Sequence, residues 1–255
     1  MIKCGLIRGG EERCLAIDTD DDREAELMNK FFVVLPDKGM RFGTKWTYGE
    51  VMDPVVYGDS QNCPKCGGPV SMLKWLPPHF VKLSSAKPQK WSDFVWGAGF
   101  KLIISERFKE IYQLEGLKGI ESFSKVRVVR IGAKKTGEFP VPPPNYYLPS
   151  IAWGGADQDD VASEIRYEHP EEIKCNYCRV GVAISTQEKV IIREGSWDGS
   201  DIFIPIHAPV LFMVSERFKQ IEEEYDFTNI WLIPSEKFGY SGRMTHFGHS
   251  WHISE

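Results

Sequence analysis

Residues 104–111 read Ile104-Ser105-Glu106-Arg107-Phe108-Lys109-Glu110-Ile111, and residues 214–221 read Val214-Ser215-Glu216-Arg217-Phe218-Lys219-Gln220-Ile221, so six of eight positions are identical at an offset of 110. An apolar run precedes each copy (Phe100-Lys101-Leu102-Ile103 and Val210-Leu211-Phe212-Met213). Downstream, without a gap, Gly119 aligns with Asn229, Ile120 with Ile230 and Phe123 with Ile233. Each copy predicts a buried strand, a helix, a turn and a second strand. Ser105 and Ser215 are natural N-caps, and Glu106 and Glu216 place an anion in the first turn, where the helix dipole favours it. Phe108, Ile111 and Tyr112, with Phe218, Ile221 and Tyr225, fall at helical spacing and are expected to face the core. Gly and Asn are the residue types that best tolerate positive φ, so Gly119 and Asn229 suit the same turn. The sequence therefore predicts an internal duplication.

Two cysteine pairs follow the same offset. Cys63-Pro64-Lys65-Cys66-Gly67-Gly68 has the spacing of a zinc knuckle, in which two thiolates bite one metal and the following glycine lets backbone amides turn toward sulfur. Cys175-Asn176-Tyr177-Cys178 lies 112 residues further on. The step from first cysteine to motif serine is 42 residues in one copy and 40 in the other. Four thiolates in two pairs match a tetrahedral, closed structural site for Zn2+ at Cys63, Cys66, Cys175 and Cys178. With 108 residues between the pairs, zinc there would tie two lobes across a pseudo-two-fold interface. Redox dithiols, buried thiols, or separate sites for each pair are the competing readings. Cys4 and Cys14 lie outside any chelating spacing and read as ordinary thiols.

Between the copies, residues 132–149 hold two Gly and five Pro, which cannot continue a helix and favour extended backbone. This stretch reads as a crossover that packs on the surface through Tyr146, Tyr147 and Trp153. The chain of 255 residues has 31 Lys plus Arg against 36 Asp plus Glu, a net charge of −5, with 42% hydrophobic residues. Such a composition excludes disordered, collagenous and coiled-coil classes. A net acidic chain whose longest basic cluster is Lys134-Lys135 is a poor nucleic-acid binder, which weighs against a zinc-ribbon-like nucleic-acid module. No run approaches the roughly 20 apolar residues of a spanning helix, and the N-terminal residues carry no apolar signal region, so a cytoplasmic protein with no membrane partner is expected. In that compartment the cysteines serve as thiols or ligands rather than disulfides. The acidic runs (Asp18, Asp20, Asp21, Asp22, Glu24, Glu26; and Glu222, Glu223, Glu224, Asp226) read as solvated faces, either of which could recruit a basic partner.

The sequence carries no P-loop, nucleophile elbow, zincin helix or dinucleotide fingerprint. Arg107 and Arg217, each beside its Glu, recur in both copies, which fits structure better than chemistry. His79, His169 and His207 stand alone. His246, His249 and His252 cluster near the C-terminus with no orienting carboxylate, the pattern of surface packing more often than of a metal site.

The order of motifs carries a resemblance. A CxxCG motif, the segment Trp91-Ser92-Asp93-Phe94-Val95-Trp96, an apolar strand and an S-E-R-F helix ending in the Gly119 to Phe123 turn and strand are similar to the double-CxxCG-motif proteins. These are regarded as immunity proteins of bacterial contact-dependent toxin exchange systems. The second half, through Tyr146-Tyr147-Leu148, Asp160-Val161-Ala162-Ser163 and the second helix, resembles a related immunity-protein domain family. The likeness covers about residues 60–238. Arg179 stands where the family pattern has Gly, which puts the turn after Cys178 in question. The resemblance implies a protein that binds and neutralises a cognate toxin, and it carries over no catalytic residue.

These readings predict an α+β fold of two similar lobes, each a mixed β-sheet with one main helix, bridged by the four-cysteine zinc site. The N-terminal lobe is expected at 1–131, the Pro-rich crossover at 132–160 and the C-terminal lobe at 161–255. The expected function is a non-catalytic, zinc-stabilised immunity protein whose acidic surface suits a basic toxin. The alternative is an enzyme with an unrecognised site that uses His246, His249 and His252.

Overall fold

A computed structural model of the protein describes residues 2–6, 12–16, 30–37, 46–85, 91–98, 101–133, 142–208, 211–241 and 251–253. The acidic run 18–26, Lys134, Lys135, His246 and His249 lie outside the described residues.

The fold is α+β, with strands predominating. β1 (Ile2–Leu6) and β2 (Glu12–Ala16) pair as a hairpin that sets Cys4 opposite Cys14. β3 (Phe31–Leu35) and β4 (Tyr48–Val51) follow. The first cysteine pair lies between β5 (Val56–Tyr57) and β6 (Trp75–Leu76). Then come β7 (His79–Ser85), β8 (Phe94–Ala98), β9 (Lys101–Ser105), α1 (Glu106–Leu114), β10 (Ile120–Ala133) and β11 (Tyr146–Ile151). The second pair lies between β12 (Arg166–Tyr167) and β13 (Ile184–Gln187). β14 (Ile202–Phe203), β15 (Met213–Ser215), α2 (Glu216–Tyr225), β16 (Trp231–Pro234), β17 (Phe238–Ser241) and β18 (Trp251–Ile253) complete the order.

Both repeated motifs form the elements expected of them. Phe108 N–H donates to Ser105 Oγ at 3.1 Å, and Phe218 N–H to Ser215 Oγ at 3.2 Å, so each serine caps its helix. Gly119 and Asn229 take φ of 109° and 64° in the turn after each helix.

Six strands close a barrel in the order β10-β11-β9-β8-β4-β7, with β7 parallel to β10 and β4 parallel to β8. A four-stranded sheet has the order β14-β15-β3-β16, and β12-β13-β17-β18 form another. Both of these sheets are antiparallel throughout, where a mixed sheet was expected in each lobe. The reason is topological. The strands on either side of a helix, β9 and β10 or β15 and β16, run in the same direction but leave a slot one strand wide. An antiparallel strand fills it: β11 between β9 and β10, β3 between β15 and β16. The fillers keep the same register, with Tyr146 opposite Ser105 and Phe31 opposite Ser215. The strand between β15 and β16 thus comes from residues 31–35, and the one between β9 and β10 comes from the stretch expected to be a surface crossover. Tyr146 is fully buried inside the barrel.

The alternation of side chains along these strands sorts three cores. Phe94, Leu102 and Ile104 face the helices, while Val95, Ile103 and Tyr146 face the barrel interior. Phe32 and Val34 likewise face the helices, while Phe31 and Val33 pack with Phe203, Met213 and Ile233. Burial on both faces explains why these strands read as unbroken apolar runs. The middle layer joins both motifs: Phe108 and Phe218 have ring centroids 6.1 Å apart, and both touch Phe227.

Polar contacts across this layer are reciprocal. Ser105 Oγ donates to Asp93 Oδ1 at 2.8 Å, and Ser215 Oγ to Asp201 Oδ1 at 2.9 Å. Arg107 Nη1 donates to Asp93 Oδ2 at 2.8 Å, and Arg217 Nη1 to Asp201 Oδ2 at 3.1 Å. Arg107 also reaches the Tyr225 carbonyl at the end of α2, and Arg217 reaches the Glu115 carbonyl at the end of α1. Each arginine thus satisfies a terminal carbonyl that the other helix leaves without a partner.

Candidate metal centre

The first cysteine loop is folded by its own backbone. Cys63 N–H donates to the Gly68 carbonyl at 2.7 Å and Gly67 N–H to the Cys63 carbonyl at 2.9 Å, with Gly67 at φ 74°. This turn directs Lys65 N–H at Cys63 Sγ and Gly68 N–H at Cys66 Sγ, both at 3.4 Å. The second loop makes the matching bond, Arg179 N–H to the Cys175 carbonyl at 2.9 Å, with Arg179 at φ 49°. The turn that glycine makes in the first loop is therefore made by arginine in the second, in a conformation that disfavours any side chain.

The Arg179 side chain has its own partners. Its Nη1 contacts Asp160 Oδ1 and His207 Nδ1. His207, only 7% exposed, has Nε2 2.8 Å from the Tyr177 carbonyl, within the cysteine loop itself. Tyr167 OH donates to Asp160 Oδ2 at 2.9 Å. Burial pushes the Asp160 carboxyl up, but hydrogen bonds from His207 and Tyr167 and the Arg179 charge outweigh it, and the group is held below its ordinary value. His207, isolated in sequence, thus braces the second loop. Nothing in the spacing reveals this, because its partners lie 28 to 49 residues away.

The two loops meet. The sulfurs of Cys63, Cys66, Cys175 and Cys178 all lie within 4.8 Å of one another, and Cys66 Sγ is 3.7 Å from Cys178 Sγ. Zinc with tetrahedral Zn–S bonds of about 2.3 Å sets its sulfurs about 3.8 Å apart, so the donor set fits such an ion. Cys63 and Cys178 are each 2% exposed and pack with Val70, Trp153, Tyr177 and Val180. Lys65 Nζ lies over the Tyr177 ring at 5.9 Å, a second link between the loops. Backbone N–H groups of Cys178 and Tyr177 lower the Cys175 thiol to about 7, whereas burial pushes Cys178 up to about 12. A cation would hold all four as thiolates and release protons on binding.

Four cysteines can hold a metal ion here, and all four expected residues come together. His252 lies in β18 opposite Gly239. Among the described residues, no helix is long and apolar enough to cross a membrane. The fold and site define a β-rich α+β protein with a four-cysteine centre. No protein-family model and no curated protein matches the chain.

Proposed function

We propose that zinc occupies the four-cysteine centre as a structural ion, and that the protein is a non-catalytic cytoplasmic immunity protein that binds and neutralises a cognate bacterial toxin. The observation that carries this reading is the gathering of four sulfurs within 4.8 Å from two loops 108 residues apart. Four protein ligands close the coordination sphere, leave no position for substrate and fasten distant parts of one chain. An internal duplication is part of the proposal. The equivalent strand orders β10-β11-β9-β8 and β16-β3-β15-β14, the matched N-caps and the reciprocal arginines support it. The toxin-neutralising role rests on the resemblance of the motif order to double-CxxCG immunity proteins, and the net charge of −5 suits a basic toxin.

Co-expression tests this reading. The C-terminal domain of any toxin-like protein encoded beside this one is expressed with and without it, and growth and co-purification are scored. Rescue together with a salt-sensitive complex is expected. Absence of both, with folded zinc-loaded protein in hand, overturns the immunity role, and a zinc content near zero in protein purified without chelator overturns the metal assignment.

A further inference from the structure

The four cysteines are not equally sheltered. Cys63 and Cys178 are each 2% exposed, Cys175 is half-buried, and of the four Cys66 alone is exposed. The first loop leaves it open through its own sequence. A Cβ at Gly67 would meet nothing within 4 Å, and one at Gly68 would lie 3.4 Å from Cys66 Sγ. A side chain at position 68 would therefore cover the sulfur, and glycine leaves that flank bare.

With a cation bound all four groups are thiolates, so access rather than ionisation decides which sulfur an oxidant meets. Beside Cys66 stands a sulfur of the other loop, Cys178 Sγ at 3.7 Å, 112 residues on in sequence and buried. An accessible thiolate with a second sulfur at hand is the arrangement in which oxidation ends as a disulfide rather than as a higher sulfur acid.

We infer that this centre is a redox switch: hydrogen peroxide oxidises Cys66 first, and a disulfide between Cys66 and Cys178 then replaces the metal as the link between the two loops. The inference rests on the zinc reading above. In the first step the Cys66 thiolate attacks a peroxide oxygen, an S–O bond forms, the O–O bond breaks and hydroxide leaves. In the second the Cys178 thiolate attacks the sulfenic sulfur, the S–S bond forms, the S–O bond breaks and a second hydroxide leaves. Two protons turn the hydroxides into water. One peroxide thus takes two electrons from two thiolates and gives one disulfide and two waters. The sulfurs close from 3.7 Å to about 2.0 Å. Two of the four donors are consumed, so the ion is released, and a thiol reductant restores the ligand set.

Full-length protein purified without chelator is first assayed for zinc and then treated with hydrogen peroxide, while a chromogenic chelator follows the release. In a parallel reaction dimedone traps the sulfenic acid, and mass spectrometry without reductant maps the disulfides. Trypsin cuts after Lys65 and chymotrypsin after Tyr177, so the two digests separate all four cysteines. Loss of zinc, a first dimedone adduct on Cys66 and a cross-link from Cys66 to Cys178 are expected, with zinc binding restored by dithiothreitol and added zinc. Zinc near zero before peroxide overturns the metal assignment and the switch with it. Zinc retained through the treatment, a first adduct on another cysteine, or disulfides confined to Cys63–Cys66 and Cys175–Cys178 overturns the switch and leaves the metal assignment standing.

Discussion

Asp93 and Thr228, 135 residues apart in sequence, clasp each other: Asp93 N–H donates to Thr228 Oγ1 at 2.8 Å, while Thr228 N–H and Oγ1–H donate to Asp93 Oδ2 at 3.1 and 3.0 Å. The same carboxylate accepts from Ser105 and Arg107, so one buried side chain joins the cap of α1 to the turn after α2. Asp93→Ala removes these acceptors together and is expected to destabilise the protein by about 3 kcal/mol. Asp201→Ala, whose carboxylate holds Ser215, Arg217 and the Lys118 N–H, is expected to do the same. Urea midpoints at unchanged slope measure both. A loss confined to one of the pair contradicts the equivalence of the two networks.

The metal centre predicts a stoichiometry. Purified protein is expected to hold about one zinc per chain. Cys66→Ser and Cys178→Ser each abolish stoichiometric binding, whereas Cys4→Ser leaves it intact. Elemental analysis reads the content, and a chelator is expected to lower the thermal midpoint of the parent but not of Cys178→Ser.

Arg179 combines an unfavourable backbone with useful side-chain contacts, and two substitutions separate them. Arg179→Gly keeps the turn and loses the contacts with Asp160 and His207, whereas Arg179→Ala loses the contacts and keeps the left-handed strain. Ala is expected to be less stable than Gly by about 1 kcal/mol in denaturant unfolding. The reverse order rules out the strained turn.

A methyl group at Gly119 would lie 1.8 Å from the Ile202 carbonyl oxygen, at a φ of 109°. Gly119→Ala is therefore expected to cost about 3 kcal/mol or more. At the matching position Asn229→Gly retains the backbone and loses the bond from Nδ2 to the Phe94 carbonyl at 2.7 Å, which makes it the milder change by calorimetry.

Burial holds the His79 imidazole below its ordinary value of 6.5. The unfolded chain therefore takes up a proton that the folded chain refuses. This contribution to stability is present above pH 6.5 and is lost as pH falls from there through the folded value. His79→Phe is expected to flatten the fall in urea stability between about pH 7.5 and about pH 5.5. An unchanged slope contradicts a neutral, buried imidazole.

The helices, their caps and their turns were legible because local chemistry decides them: a serine at the end of an apolar run and a residue tolerant of positive φ at Gly119 and Asn229. The four cysteines that gather were legible as two pairs from their spacing. Asp201, Thr228 and His207 were not, since each acts on a partner distant in sequence and none sits in a motif. The places of β3 and β11 were hidden for a different reason. Phe31-Phe32-Val33-Val34-Leu35 is apolar on both faces, so it announces a buried strand without naming its neighbours.

The place of that strand bears on how the protein is made. β3 has hydrogen-bonded neighbours on both edges, and both come from residues 213–234. A ribosome delivers the start of the chain first, so β3 waits for most of the polypeptide to be synthesised before either edge is covered. Through that interval a five-residue apolar segment is open to the wrong partners, including its own copy on a neighbouring nascent chain. A chain truncated before residue 213 lacks both strands that cover β3, so its apolar segment is left without the hydrogen-bonded neighbours of the complete fold.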